Sequence, residues 1–236
     1  ALQRAIHEDR TFENYSVSVS IFNFTDPDRF NEMRQFYIVN SRQKRVPTDL
    51  ALKFLTKLYK KYGEVEVAAR EGAKRVLEAQ ADDIVLKLDS RTDSPWYGMV
   101  ELVGGRRRGI INERTMALSI AENILNQRIF AAISIDEIVE NLIKYWSAIK
   151  EVYPKAFSDP ESHTLQKTPG VYAFHILFPT IYVKCLTAGG YSKDTVKKIL
   201  LKLREPPQPI IDDDWWHTKR GNPLALGTSK KMFKML

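Results

Sequence analysis

One short stretch of this chain alternates apolar and polar residues, and elsewhere the apolar positions recur at helical spacing. In SVSVSIF, Val17, Val19 and Ile21 alternate with Ser16, Ser18 and Ser20, the period-two pattern of a half-buried strand. Ahead of it, Leu2, Ala5 and Ile6 share one face of a short helical segment within residues 1–9. Behind it, Asp26 and Pro27 read as an N-cap and a first helical residue, and Phe30, Met33 and Tyr37 form a stripe that carries a helix to about Asn40. Pro47, Thr48 and Asp49 open the next helix, in which Leu50, Phe54, Leu58 and Tyr62 recur every four residues until Gly63 stops it. Another helix is expected from Glu64 to about Leu88, with Gly72 inside it costing about 1 kcal/mol of helix propensity.

The segment SPWYGMVELVGGRRRGIIN predicts a β-hairpin: an outgoing strand from Trp96 to Val103, a turn at Gly104-Gly105 and a return through Ile110 and Ile111. Beyond it the pattern is helical. Asn112 is placed to cap NERTMALSIAENIL, and Ser134 with Glu137 forms a capping box for the helix that follows. Residues from Leu165 to about Thr187 form an apolar helix, expected to be interrupted near Pro169-Gly170 and at Pro179. Ser192 caps a last amphipathic helix with Val196, Ile199, Leu200 and Leu203 inward and Lys193, Lys197, Lys198 and Lys202 outward. The layout is a mixed, helix-rich α/β class: an α/β portion over residues 1–111 and a mostly helical portion over residues 112–236.

Composition adds a sign to this picture. The 236 residues are 44% hydrophobic and 28% charged, ordinary for a globular protein able to bury a substantial core. The net charge of +7 and a pI near 9.3 point to a polyanionic partner, nucleic acid first. The single cysteine, Cys185, excludes an internal disulfide framework and fits a reducing cytoplasm. The most apolar run carries His175, Pro179 and Lys184 and falls short of the roughly 20 clean apolar residues of a membrane span, so a buried helix is expected.

Strong catalytic signatures are missing. His7, His163, His175 and His217 have no partner at metal-ligand spacing, and one cysteine cannot build a zinc site, so no metal is expected. Neither the P-loop nor the dinucleotide fingerprint occurs. His175, on an apolar helix, reads as a core histidine. Asp212, Asp213 and Asp214 read as a solvated turn, because consecutive residues point in different directions. Lys167, Thr168 and Gly170 form either a small anion nest or a plain helix-start turn.

Two basic clusters remain. Asn40, Ser41, Arg42, Gln43, Lys44 and Arg45 crowd donors into one loop, followed by Lys57, Lys60 and Lys61 on the next helix. A guanidinium offers a planar fork to phosphate, and a carboxamide offers donor and acceptor together. The second cluster, Arg106, Arg107 and Arg108, sits on the expected hairpin tip, where it could grip phosphates. A solvated loop is the alternative for each.

An apolar helix end reading Phe-x-x-x-Asn, then Gln-Lys, then a polar residue opening an apolar helix resembles the second half of a DGQHR domain, here at Phe36, Asn40, Gln43, Lys44, Val46 and Leu50. That family includes the B-type regulator of Dnd DNA phosphorothioation and is related to the ParB-like fold. The opening Ala1-Leu2, SPWYGMVELVG, IKYWSAI and LQKTPGVYAF are similar to later parts of the family as well. The DGQHR signature does not occur in these residues, so the resemblance implies a chain that begins just after it. It also implies a ParB-like α/β portion and a DNA-binding regulatory or accessory role in DNA modification or phage defence. Asn40, Gln43 and Lys44 would line a nucleotide or phosphate pocket, with Arg42, Arg45 and Arg106 to Arg108 on nucleic acid. One alternative is a nucleotide hydrolase or DNA-nicking enzyme, using a nucleotide with magnesium, whose DGQHR motif lies upstream. Another is a non-catalytic module that forms homo-oligomers through the apolar helices of residues 135–188.

Overall fold

The computed structural model describes residues 48–227 except 103, 106, 207 and 208, together with residue 35; at 48–51 and 70 it describes the backbone alone. The chain divides into two compact units, Ala1–Arg45 and Val46–Leu236, and all of these residues except residue 35 belong to the second. The strand expected at residues 16–21 and the helices expected within 1–9 and 27–40 lie outside the described residues.

The described residues are helix-rich, with one small strand pairing. Helix α1, Thr48–Glu71, is broken at Gly63, whose φ of 80° and ψ of 176° an L side chain rarely adopts. The expected stop is thus a kink, after which the helix resumes. The buried side of α1 carries Leu52, Leu55, Thr56 and Leu58, with Phe54 only half-buried, so the face is rotated from the predicted stripe. The helix expected from Glu64 to Leu88 is instead divided by Gly72 at φ 89°, and α2 runs over Ala73–Ser90. Contacts between α1 and α2 pair Thr56 with Asp82 and Glu64 with Gln80, later residues of one against earlier residues of the other. The two helices are therefore antiparallel.

Val100–Glu101 (β1) and Ile111–Asn112 (β2) pair in parallel, with Val100 opposite Ile111, rather than as the predicted hairpin. A two-residue turn at Gly104-Gly105 would have reversed the chain. Instead Gly105 bonds back to Leu102, the loop continues, and Ile110 donates its N–H to Met99 at 2.8 Å. Gly109 lies so close to β1 that a Cβ there would sit 2.0 Å from the Glu101 nitrogen, so a side chain would push the strands apart. Parallel pairs normally need a long crossover, and here the short loop closes only two residues of ladder.

Asn112 then caps α3, Glu113–Ile120, its side chain accepting the N–H groups of Arg114 and Thr115 as expected. A π turn, Ala121–Leu125, follows without a break. Ser134 caps α4, Ile135–Val152, by accepting the Glu137 N–H at 3.2 Å. A short α5, Pro154–Ser158, leads to α6, Thr168–Thr187. Pro169 and Gly170 lie in the first turn of α6 instead of interrupting it, and the helix runs on through Pro179. Gly170 is required by packing, since a Cβ there would meet the Leu165 carbonyl at 2.0 Å. Ser192 caps α7, Lys193–Leu201, whose Val196 and Leu200 are buried. Lys193 and Lys197, expected to face solvent, both reach Glu151 of α4 at 2.7 Å. A final short helix, α8, spans Pro223–Leu226.

The core is aromatic at its centre. Trp146 of α4 is fully buried and meets the Trp96 ring edge-on at 4.8 Å and the rings of Phe174 and His175 at 5.8 and 5.7 Å. Trp216 packs on Phe174 at 5.5 Å, so the C-terminal segment closes over the same cluster. Trp146→Ala is expected to cost about 3–5 kcal/mol in urea unfolding, the range of a vacated aromatic site. Leu186→Ala, at a position 52% exposed, is expected to change stability by about 0.5 kcal/mol or less.

Candidate nucleic-acid interface

Helix α2 has four acidic residues, Glu78, Asp82, Asp83 and Asp89, and all four are buried. Its cations reach solvent: Lys74 and Arg75 are exposed and Lys87 is half-exposed. Each acid has a local reason to be inside. Glu78 takes Arg75 at 2.6 Å. Asp83 binds Lys60 of α1 at 2.5 Å and Lys87 at 3.2 Å. Burial alone would raise the Asp83 carboxyl, but the two ammonium groups outweigh it and hold it below its ordinary range.

Asp89 builds the arginine loop. Its Oδ1 accepts the Val100 N–H at 2.9 Å, and its backbone carbonyl accepts the Gly98 N–H at 2.9 Å. The Nη2 of Arg107 lies 2.8 Å from both carboxylate oxygens and also donates toward the Val100 carbonyl at 3.3 Å. A charge-assisted contact of this kind is stronger than a neutral one and fixes direction as well. Gly98, at φ 71°, leaves room for the guanidinium, which would stand 3.1 Å from a Cβ there. The loop is therefore held at both ends, by the Gly109 approach to β1 and by Asp89. Arg107 is pinned at its tip yet half-exposed, and its neighbour Arg108 is exposed.

Of the residues expected to contact nucleic acid, Arg107 and Arg108 are thus on a fixed loop at the end of α2. Arg42, Arg45 and Arg106 lie outside the described residues, as do the expected pocket residues Asn40, Gln43 and Lys44. Lys57, Lys60 and Lys61 are exposed on α1, with Lys60 on Asp83 and Lys61 over the Tyr62 ring. The burial of the α2 acids was not legible in the sequence, where DD within a helix reads as a solvated face.

The remaining chemical candidates resolve into structure. His175 is fully buried, and burial pushes its pKa down to about 3. Its Nε2 faces the Trp146 indole N–H at 3.4 Å and its Nδ1 faces the Ser119 hydroxyl at 2.9 Å. An indole only donates, so Nε2 is the acceptor and the proton resides on Nδ1, directed at Ser119. That tautomer cannot take a proton from the serine, so the pair is no nucleophilic dyad. Asn123 donates to the Ser119 carbonyl at 3.0 Å, occupying an acceptor beside the π turn. Asp213 accepts the Lys155 and Ala156 N–H groups at 2.9 Å each, Asp212 accepts the Trp215 N–H, and Asp214 meets Arg220. The three aspartates point to three different partners, but the expected solvated turn does not hold for Asp213, which is buried where it meets the first N–H groups of α5. Lys167 directs its ammonium to the Glu161 carbonyl at 3.2 Å, as a helix-start turn would. Cys185 is buried, which raises its thiol. Among the described residues no group of three potential ligands could hold a metal.

Comparison of the chain with protein-family models, with curated proteins and with solved structures finds no match.

Asp89→Ala is expected to lower stability by about 2–3 kcal/mol in urea unfolding, the cost of losing hydrogen bonds to a charged group. Asp89→Asn keeps an acceptor for Val100 and is expected to fall between that variant and the parent. Equal midpoints for all three proteins would remove Asp89 from the role given to it.

Proposed function

We propose that this chain is a DNA-binding regulatory or accessory protein of a DNA-modification or phage-defence system, working in the cytoplasm, with a ParB-like α/β portion. The observation that carries the reading is the inversion of α2. Glu78, Asp82, Asp83 and Asp89 are inside, while cations of α1 and α2 reach the surface. Lys74 and Arg75 on α2 and Lys57, Lys60 and Lys61 on α1 remain exposed, and Arg108 stands on the loop that Asp89 fixes. Arg42, Lys44 and Arg45 lead in sequence directly into α1 at its Thr48 end. Rigidly mounted cations beside mobile-stemmed lysines suit phosphate contacts, which set affinity and orientation without reading sequence. The resemblance of Phe36, Asn40, Gln43 and Lys44 to the DGQHR pattern supplies the link to DNA modification.

The test is duplex binding followed by fluorescence anisotropy over a salt series. Log affinity is expected to fall linearly with log salt, and each phosphate contact removed is expected to lower the slope by about 1. Arg108→Gln and Lys57→Gln are the variants of choice, because neither residue is committed to the fold in the way Arg107 is. No measurable binding at low salt, or a slope unchanged in the double variant, overturns the proposal.

A further inference from the structure

Asp82 sits where α1, α2 and α3 meet and is completely buried. Its Oδ2 lies 2.6 Å from the Thr56 hydroxyl of α1, and that hydroxyl lies 3.1 Å from the Leu52 carbonyl. Thr56 has one proton to give and two oxygens to satisfy. The Leu52 carbonyl cannot donate. A single proton shared between the two would serve each poorly; with a proton on Oδ2, Thr56 donates to Leu52 and Asp82 donates to Thr56, and both are full hydrogen bonds. Glu113, also completely buried, supplies a second reason. It is the first residue of α3, and its nearness raises the Asp82 carboxyl, so the neighbour favours a proton on Asp82. Glu113 has polar contacts of its own, and nothing here requires it to lack them.

We propose that Asp82 is a proton-operated latch, clasping α1 to α2 through Thr56 while it carries a proton and loosening α1 when the proton leaves. The other charged groups near it are Lys60 of α1, bonded to Asp83, and Glu113 of α3. Helix α4 meets α2 further along, through Lys87 and Asp136. Burial, the largest influence, pushes the Asp82 carboxyl up to about 7 against the lowering effect of the Thr56 hydroxyl and of Lys60, and the charge and hydrogen bond of Glu113 add to the rise. In an opened latch the carboxyl is solvated and returns toward 3.8. Between those values the closed form holds more protons than the open one. Closure is therefore tightest below 3.8, weakens as pH rises through the window, and levels off above about 7.

The experiment is hydrogen exchange of the amides of residues 52–60 between pH 5 and pH 8, expressed as protection against intrinsic rates. Protection in the native protein is expected to fall roughly ten- to a hundred-fold across that range. Asp82→Asn, whose amide donates to Thr56 at every pH, is expected to hold protection constant. A native profile that is flat, or an Asn variant that follows the native slope, overturns the latch. Should the variant fail to fold, the carbon-13 titration of the Asp82 carboxyl in the native protein decides: a midpoint near 7 supports the latch and one in the ordinary carboxylate range overturns it. No DNA enters the experiment, so its failure is separate from failure of the DNA-binding reading.

Discussion

The rest of the described fold depends on burying two indoles, Trp96 and Trp146, against each other. Their edge-to-face contact joins a loop to the middle of α4. Around it Tyr145, Phe174, Phe178 and Trp216 continue the same buried cluster. Rings of this size each remove a large apolar area from water, and their edge-to-face geometry adds direction to that burial. Direction is the useful part: Trp96 stands just ahead of β1, so its anchorage limits where the arginine loop can begin.

What the aromatic cluster leaves open, a buried carboxylate decides. Asp89 receives two backbone N–H groups and a guanidinium from one loop, and it can do so only because α2 ends with that residue inside. The same helix turns its other acids inward, each to a different partner. Burying a charge is unfavourable unless it is paired or neutralised: cations meet Glu78, Asp83 and Asp89, and burial raises the Asp82 carboxyl. One helix thus links stability, loop placement and the character of the exposed face.

Much of the architecture was legible along the chain. Asn112, Ser134 and Ser192 cap the helices they were expected to cap, because an N-cap is a bond between residues two or three apart. Gly63 marks a break for a local reason, a backbone conformation that L side chains rarely take, whereas Gly72, expected inside a continuous helix, divides it. His175 is the buried histidine that its apolar neighbours announced, and the three consecutive aspartates diverge as consecutive residues must.

Local patterns could not supply anything that hangs on a distant partner. A Gly-Gly pair between two apolar runs carries the mark of a hairpin. The pairing is parallel because Gly109 presses on β1 and Arg107 is drawn to Asp89, eighteen residues away. The spacing of Asp82 and Asp83 is that of a solvated helix face. They are buried because Thr56 and Lys60 of a neighbouring helix come to meet them. The sequence by itself determined where helices start and break, since those bonds close within a turn. Only the tertiary structure decided which charges face water, since desolvation depends on groups that the chain brings together from far apart.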